Sequence, residues 1–85
     1  MITVSGPLTA ISGTTVYATA SGFSSGATVT GNVCIGPDKI PSSLVQKPNG
    51  AYQLCATIPS GTLGAVDFKF GDGAKWGSKS VIVTP

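Results

Sequence analysis

Hydrophobic residues in this chain recur at every second position in short runs and never sustain a 3.6-residue repeat, so strands are predicted throughout and helices nowhere. The clearest run is Val66-Asp67-Phe68-Lys69-Phe70, with Val66, Phe68 and Phe70 on one face and Asp67 and Lys69 on the other. A one-residue slip would bury both charges, so the register of this strand is strongly specified. Gly71-Asp72-Gly73, built of residues that tolerate positive φ, then turns the chain and leads to its single tryptophan, Trp76.

The same alternation predicts a strand near residues 2–5 and a short piece at 8–11 along a sheet edge. A strand over 14–21 follows, with Val16, Ala18 and Ala20 inward and Tyr17 on the outer face. Phe23 plugs the corner at Gly22–Gly26, and a strand over 27–35 places Val29, Val33 and Ile35 inward, with Gly31 leaving room for a large neighbour. Residues 36–43 read as the longest irregular connection. A hairpin is predicted from 43–47 through Asn49-Gly50 into 51–58, with Tyr52, Leu54, Ala56 and Ile58 on one face. Strands over 63–70 and 78–84, the latter with Val81 and Val83 inward, complete the chain. About seven strands without a helix predict an all-β, immunoglobulin-like two-sheet sandwich. A small barrel is the alternative.

Eighty-five residues make one domain, spanning 1–85, with a single core. Charged residues are 9% of the chain, against about 25% in an average soluble domain. Hydroxyls and backbone therefore cover much of the surface, as in secreted all-β modules. The cations are all lysine and the anions all aspartate, with no Arg, Glu or His. A dispersed net charge of +2 lacks the clustered basic face that nucleic acid requires. The longest apolar stretches are about three or four residues, so no membrane-inserting run is present. Met1 reads as an expression start in place of a removed signal.

The two cysteines, Cys34 and Cys55, have no catalytic or metal-binding companions and are expected to form one disulfide. The alternative is a pair of buried free thiols. Cys34 shares a face with Thr28, Thr30 and Asn32, and Cys55 with Gln53 and Thr57, so the bridge is expected outside the core, with Val33, Ile35, Leu54 and Ala56 on the opposite, buried side. Closing a loop of about 20 residues in this way would contribute about 3 kcal/mol and imply an oxidising, extracellular setting. The off-core position also argues against antibody kinship.

Catalytic chemistry finds little to work with. Without histidine there is no ordinary Ser-His or Cys-His pair, the aspartates are scattered, and Lys79 cannot pair with Ser78 or Ser80 because adjacent strand residues face opposite ways. No enzyme, cofactor or zinc site is expected. Calcium would need several oxygen ligands around Asp67 or Asp72, and Asp72-Gly73 is explained as a turn. What remains is surface. Trp76, Tyr17 and Tyr52 are rings with polar handles, of the kind that hold apolar faces of sugars. Tyr52, on the inward face, is expected to be structural, and Trp76 is either a sugar platform or a cap on the core. Lysines 75 and 79 also suit a solvated face that discourages edge pairing. The candidate ligand-binding set is Trp76 with Tyr17, Lys79 and Asp72.

Two resemblances follow from particular residues. The segment Gly64-Ala65-Val66-Asp67-Phe68-Lys69-Phe70-Gly71-Asp72-Gly73-Ala74-Lys75-Trp76 resembles the late strands of small starch-binding carbohydrate-binding modules, which implies a sugar-stacking Trp76. The motifs Ser12-Gly13-Thr14-Thr15-Val16, Ala20-Ser21-Gly22-Phe23, Gly26-Ala27, Gly31 with Cys34, Asn49-Gly50 and Asp72-Gly73-Ala74-Lys75-Trp76-Gly77 resemble the neocarzinostatin apoprotein family. Those proteins are secreted immunoglobulin-like carriers of a chromophore, longer than this chain and with a second disulfide. The expectation is a secreted, non-catalytic module binding polysaccharide or another extracellular ligand, as a monomer or as one module of a larger chain. A structural spacer or adhesin repeat and a small-molecule carrier are the alternatives.

Overall fold

The computed structural model describes residues 2–85. These residues form nine strands: β1 Thr3–Ser5, β2 Thr9–Ile11, β3 Thr15–Ser21, β4 Thr30–Ile35, β5 Asp38–Ile40, β6 Ser43–Gln46, β7 Tyr52–Thr57, β8 Gly64–Gly71 and β9 Trp76–Thr84. One sheet has the order β1-β3-β7-β6 and the other β2-β9-β8-β4-β5. All neighbours are antiparallel except β2 and β9, which run parallel. The fold is thus all-β with no helix among the described residues.

The core lies between the two sheets. Val66, Phe68 and Phe70 of β8 and Val33 of β4 come from the five-stranded sheet, together with Val81 and Val83 of β9. They meet Val16, Ala18 and Ala20 of β3, Leu54 and Ala56 of β7, and Ile58 beyond β7. All are buried, as the period-2 pattern predicts. The cluster combines small alanines on β3 with large phenylalanines on β8, a mixture that fills the space between the layers. Gly31 is hemmed in by a large neighbour as expected, since a Cβ there would stand 3.1 Å from a Leu54 methyl and 3.2 Å from a Leu44 methyl. Gly77 performs the same service against β1: a Cβ would come within 2.9 Å of Ile2 Cγ2 and 3.2 Å of Val4 Cγ2.

Several expectations need correction. Residues 36–43 are not an irregular connection, because Asp38–Ile40 pairs with Val33–Ile35 and adds an edge strand. The strand predicted over 27–35 begins only at Thr30, residues 24–27 being held in a turn by Ala27 N–H donating to Ser24 O. The disulfide is absent: Cys34 and Cys55 are both free thiols. Alternation places each sulfur on the outer face of its own strand, but Cys34 lies in the five-stranded sheet and Cys55 in the four-stranded one. Outer faces of opposed sheets are separated by both layers, whose backbones pack about 10 Å apart, beyond the reach of a disulfide. Cys34 is nonetheless buried, flanked in register by Asp67 and Lys39 on neighbouring strands. Cys55 is half-buried between Tyr17 and Ser43.

Two outcomes check this packing. Alkylation of unreduced, unfolded protein followed by mass spectrometry should label both cysteines, and reductant should leave the melting temperature unchanged; a linked 34–55 peptide would contradict the sheet assignment. Gly77→Ala should cost about 1–3 kcal/mol in chemical denaturation, because the new methyl overpacks against the buried Ile2 side chain.

Candidate functional site

Trp76 opens β9 directly after the β8–β9 turn, and a single carboxylate determines how that turn is held. Asp72 is 7% exposed. Its Oδ1 accepts the backbone N–H groups of Ala74 at 3.0 Å and Lys75 at 2.7 Å, while Oδ2 accepts the N–H of Ser24 at 2.8 Å. Its own N–H donates to Lys75 O at 3.0 Å, and Lys75 Nζ donates to Gly22 O at 2.7 Å. The β8–β9 turn and the β3–β4 corner are thereby clamped together. Backbone donors from Ser24, Lys75 and Ala74 stabilise the anion and hold the Asp72 carboxyl well below the usual carboxylate range, against a smaller opposing effect of burial. Gly73, at φ 88°, occupies the left-handed region that closes the turn.

Beyond the turn, strand pairing assembles a polar face on the outside of the five-stranded sheet. Thr30, Gly71 and Trp76 form one row across β4, β8 and β9; Asn32, Lys69 and Ser78 form the next; Cys34, Asp67 and Ser80 the third, with Lys39 beyond Cys34. Trp76 is 75% exposed, which settles its position as a surface ring and not a cap on the core. Gly71 presents no side chain beside it, and a Cβ there would make ordinary contacts with Lys75 O at 3.6 Å, Thr30 Oγ1 at 3.8 Å and Trp76 Cβ at 3.9 Å. Ser80 Oγ donates to Asp67 Oδ1 at 2.6 Å, so the far end of the face is internally satisfied. Thr30, Asn32, Lys69 and Ser78 are exposed on the same face as the indole.

The structure separates Tyr17 and Lys79 from the face that carries Trp76. Tyr17, 51% exposed, stands on the outer face of the four-stranded sheet in register with Cys55. Lys79, three residues after Trp76, falls on the inner face of β9 in register with buried Phe68 and is half-buried. Because β2 pairs only with Ile82–Thr84, residues 76–81 of β9 form an open edge, and an inward-directed lysine there discourages pairing with another strand. Asp72 lies within the same hairpin as Trp76, but its oxygens are already occupied by backbone donors. Tyr52 packs edge-to-face on Phe23, with ring centroids 5.4 Å apart, and Phe23 in turn lies 6.3 Å from Phe70. Asn32 and Lys69 could be read from alternation as outward-facing, yet their adjacency to Trp76 required knowing that β4, β8 and β9 are neighbours. Among the described residues, no three of His, Cys, Asp and Glu are grouped to hold a metal ion.

No protein-family model matches the chain, and no curated protein or solved structure matches it. The surface itself therefore carries the functional argument.

A carboxylate whose folded-state pKa is depressed contributes stability above its unfolded pKa and loses it as pH falls below that value. Thermal melts of the native chain should therefore show stability declining as pH drops below about 4. Asp72→Asn should be less stable at neutral pH and show a shallower acid decline. Equal slopes for both proteins would show that Asp72 does not carry the acid sensitivity.

Proposed function

We propose that this chain is a non-catalytic, extracellular, immunoglobulin-like module that binds carbohydrate on the outer face of its five-stranded sheet. The observation that carries the reading is Trp76, a largely exposed indole beside the side-chain-free Gly71 and on the same sheet face as exposed hydroxyl, amide and ammonium groups. An indole face takes the apolar C–H face of a sugar ring, while Asn32, Ser78, Thr30 and Lys69 can hydrogen-bond hydroxyls at its rim. Tyr17 and Lys79 are too differently oriented to share that ligand. The role of Asp72 is to position the turn that presents Trp76.

Strand order supports the immunoglobulin-like assignment. Taking β1, β3, β7 and β6 as strands A, B, E and D, and β4, β8 and β9 as C, F and G, reproduces the two sheets of that architecture. β5 then extends the second sheet beyond C, and β2 extends it beyond G. Extracellular placement rests on the charge-poor, hydroxyl-rich composition, because free thiols remove the argument from an oxidising compartment.

One observation favours a second reading, a spacer or adhesin repeat. Thr3 pairs with Ser21 at the pole that carries the β3–β4 corner, whereas Val83 pairs with Gly64 at the other pole. The first strand thus begins and the last strand ends at opposite poles of a body 39 Å long, as head-to-tail stringing requires.

Affinity electrophoresis in gels cast with starch, cellulose derivatives, xylan or chitin derivatives distinguishes the two. Retardation in at least one gel, abolished by Trp76→Ala, weakened by Asn32→Ala and untouched by Tyr17→Ala, is the expected outcome. Migration unaffected by every polysaccharide would sink the sugar reading and leave the spacer.

A further inference from the structure

The pole that carries Asp72 also holds a crevice of about 600 Å³. It lies between the β3–β4 corner and the β6–β7 turn and takes no residue from the polar sheet face described above. We propose that this crevice is a separate binding site for an uncharged, hydroxyl-rich small molecule of the size of a mono- or disaccharide. The inference is independent of the outer-face reading and does not need it.

Size is the first argument, since ligand clefts span roughly 300–1,000 Å³. Charge is the second. No lysine or aspartate lines the crevice, although a lysine, Lys47, is the next residue after Gln46. The charges that touch the wall, Asp72 and Lys75, are already bound to its backbone at Ser24 and Gly22, so a charged ligand entering here would lose hydration without gaining a free counter-charge, which selects for neutral molecules. Hydrogen-bonding chemistry is the third. Ser21 and Ser25 supply hydroxyls on one side, and Gln46 and Asn49 supply amides on the other. Asn49 Oδ1 already accepts the N–H of Ala51 at 3.0 Å, so its Nδ2 group remains as a donor. Gln46, exposed and in register with Tyr52, keeps both an acceptor and donors. Mixed donors and acceptors at close spacing match vicinal hydroxyls better than they match a single carbonyl or amine. Phe23 and Tyr52, half-buried against each other, add apolar area for C–H groups.

Rigidity is the fourth argument. Loops with this content of Gly and Ser would ordinarily collapse or fluctuate, at an entropic cost to binding. Here Ser24 N–H is held by the buried Asp72 carboxylate, Gly22 O by Lys75 Nζ, and Phe23 by packing against Tyr52 and Phe70. On the opposite wall the turn is closed by Lys47 N–H to Ala51 O at 2.7 Å and Gly50 N–H to Lys47 O at 2.9 Å. Both walls are therefore built before any ligand arrives, and the crevice is preorganised.

Backbone amide shifts recorded by two-dimensional NMR, during titration with glucose, galactose, N-acetylglucosamine, maltose and cellobiose, test the proposal. At least one of these sugars should produce saturable shifts confined to residues 21–27 and 46–52, unchanged in Trp76→Ala. Gln46→Ala, at an exposed edge position whose folding the same spectrum reports, should weaken that binding about tenfold, as loss of a ligand hydrogen bond predicts. Three results would overturn it: no saturable shift at these residues with any of the sugars, shifts there that Gln46→Ala leaves intact, or glucuronate binding there as well as glucose does. The first of these results, with shifts confined to residues 30–32, 69–71 and 76–78 instead, would leave the outer-face site standing.

Discussion

Close packing of the β8 inner face against the opposing sheet is the constraint from which the rest of this structure follows. Val66, Phe68 and Phe70 are almost fully buried, and they lie on a strand flanked by β4 and β9. Burying three such side chains contributes several kcal/mol, at about 1.5–3 kcal/mol each, a large share of what a domain of this size retains. Their alternation forces Asp67, Lys69 and Gly71 outward, and pairing then carries Asn32, Cys34, Ser78 and Trp76 to the same exterior. The composition of the candidate binding face is thus a by-product of how the core is filled.

A second, more local constraint acts at one pole. Asp72 is a buried side-chain anion, and it collects three backbone donors from two loops that are 48 residues apart in sequence. Carboxylates bound in this way form charge-assisted hydrogen bonds, stronger than those between neutral groups. One residue therefore orients the turn leading to Trp76 and also holds the wall of the crevice beside Ser24. The two candidate sites share a positioning element without sharing a lining residue, so a change at Asp72 would disturb both, while Trp76 and Gln46 can be altered separately.

Stability in this chain is achieved without a covalent staple. The free thiols face outward from opposite sheets, and small size is compensated by a continuous buried layer that runs from Ile2 to Val83. Open edges are managed by chemistry at particular positions. Lys79 points inward on the exposed part of β9, and the edge strand β5 carries Asp38 and Lys39. Such placement protects a charge-poor surface from strand-to-strand association, where ionic repulsion alone would be weak.

Alternation along single strands determined a good deal by itself. The all-β class, the Asn49-Gly50 hairpin, the inward sets on β3, β7, β8 and β9, the crowding at Gly31 and the outward direction of both cysteines follow from local sequence, because side chains on a strand must alternate and turns need particular φ angles. Which strands become neighbours is a different kind of information, held in non-local packing. It decided that Cys34 and Cys55 lie on opposite sheets, that Tyr17 and Lys79 do not face Trp76, and that Asn32 and Lys69 do. It also turned Asp72 from a turn residue into a clamp on Ser24 and made 38–40 an edge strand, since neither the clamp nor the strand exists until a distant segment arrives to complete its hydrogen bonds.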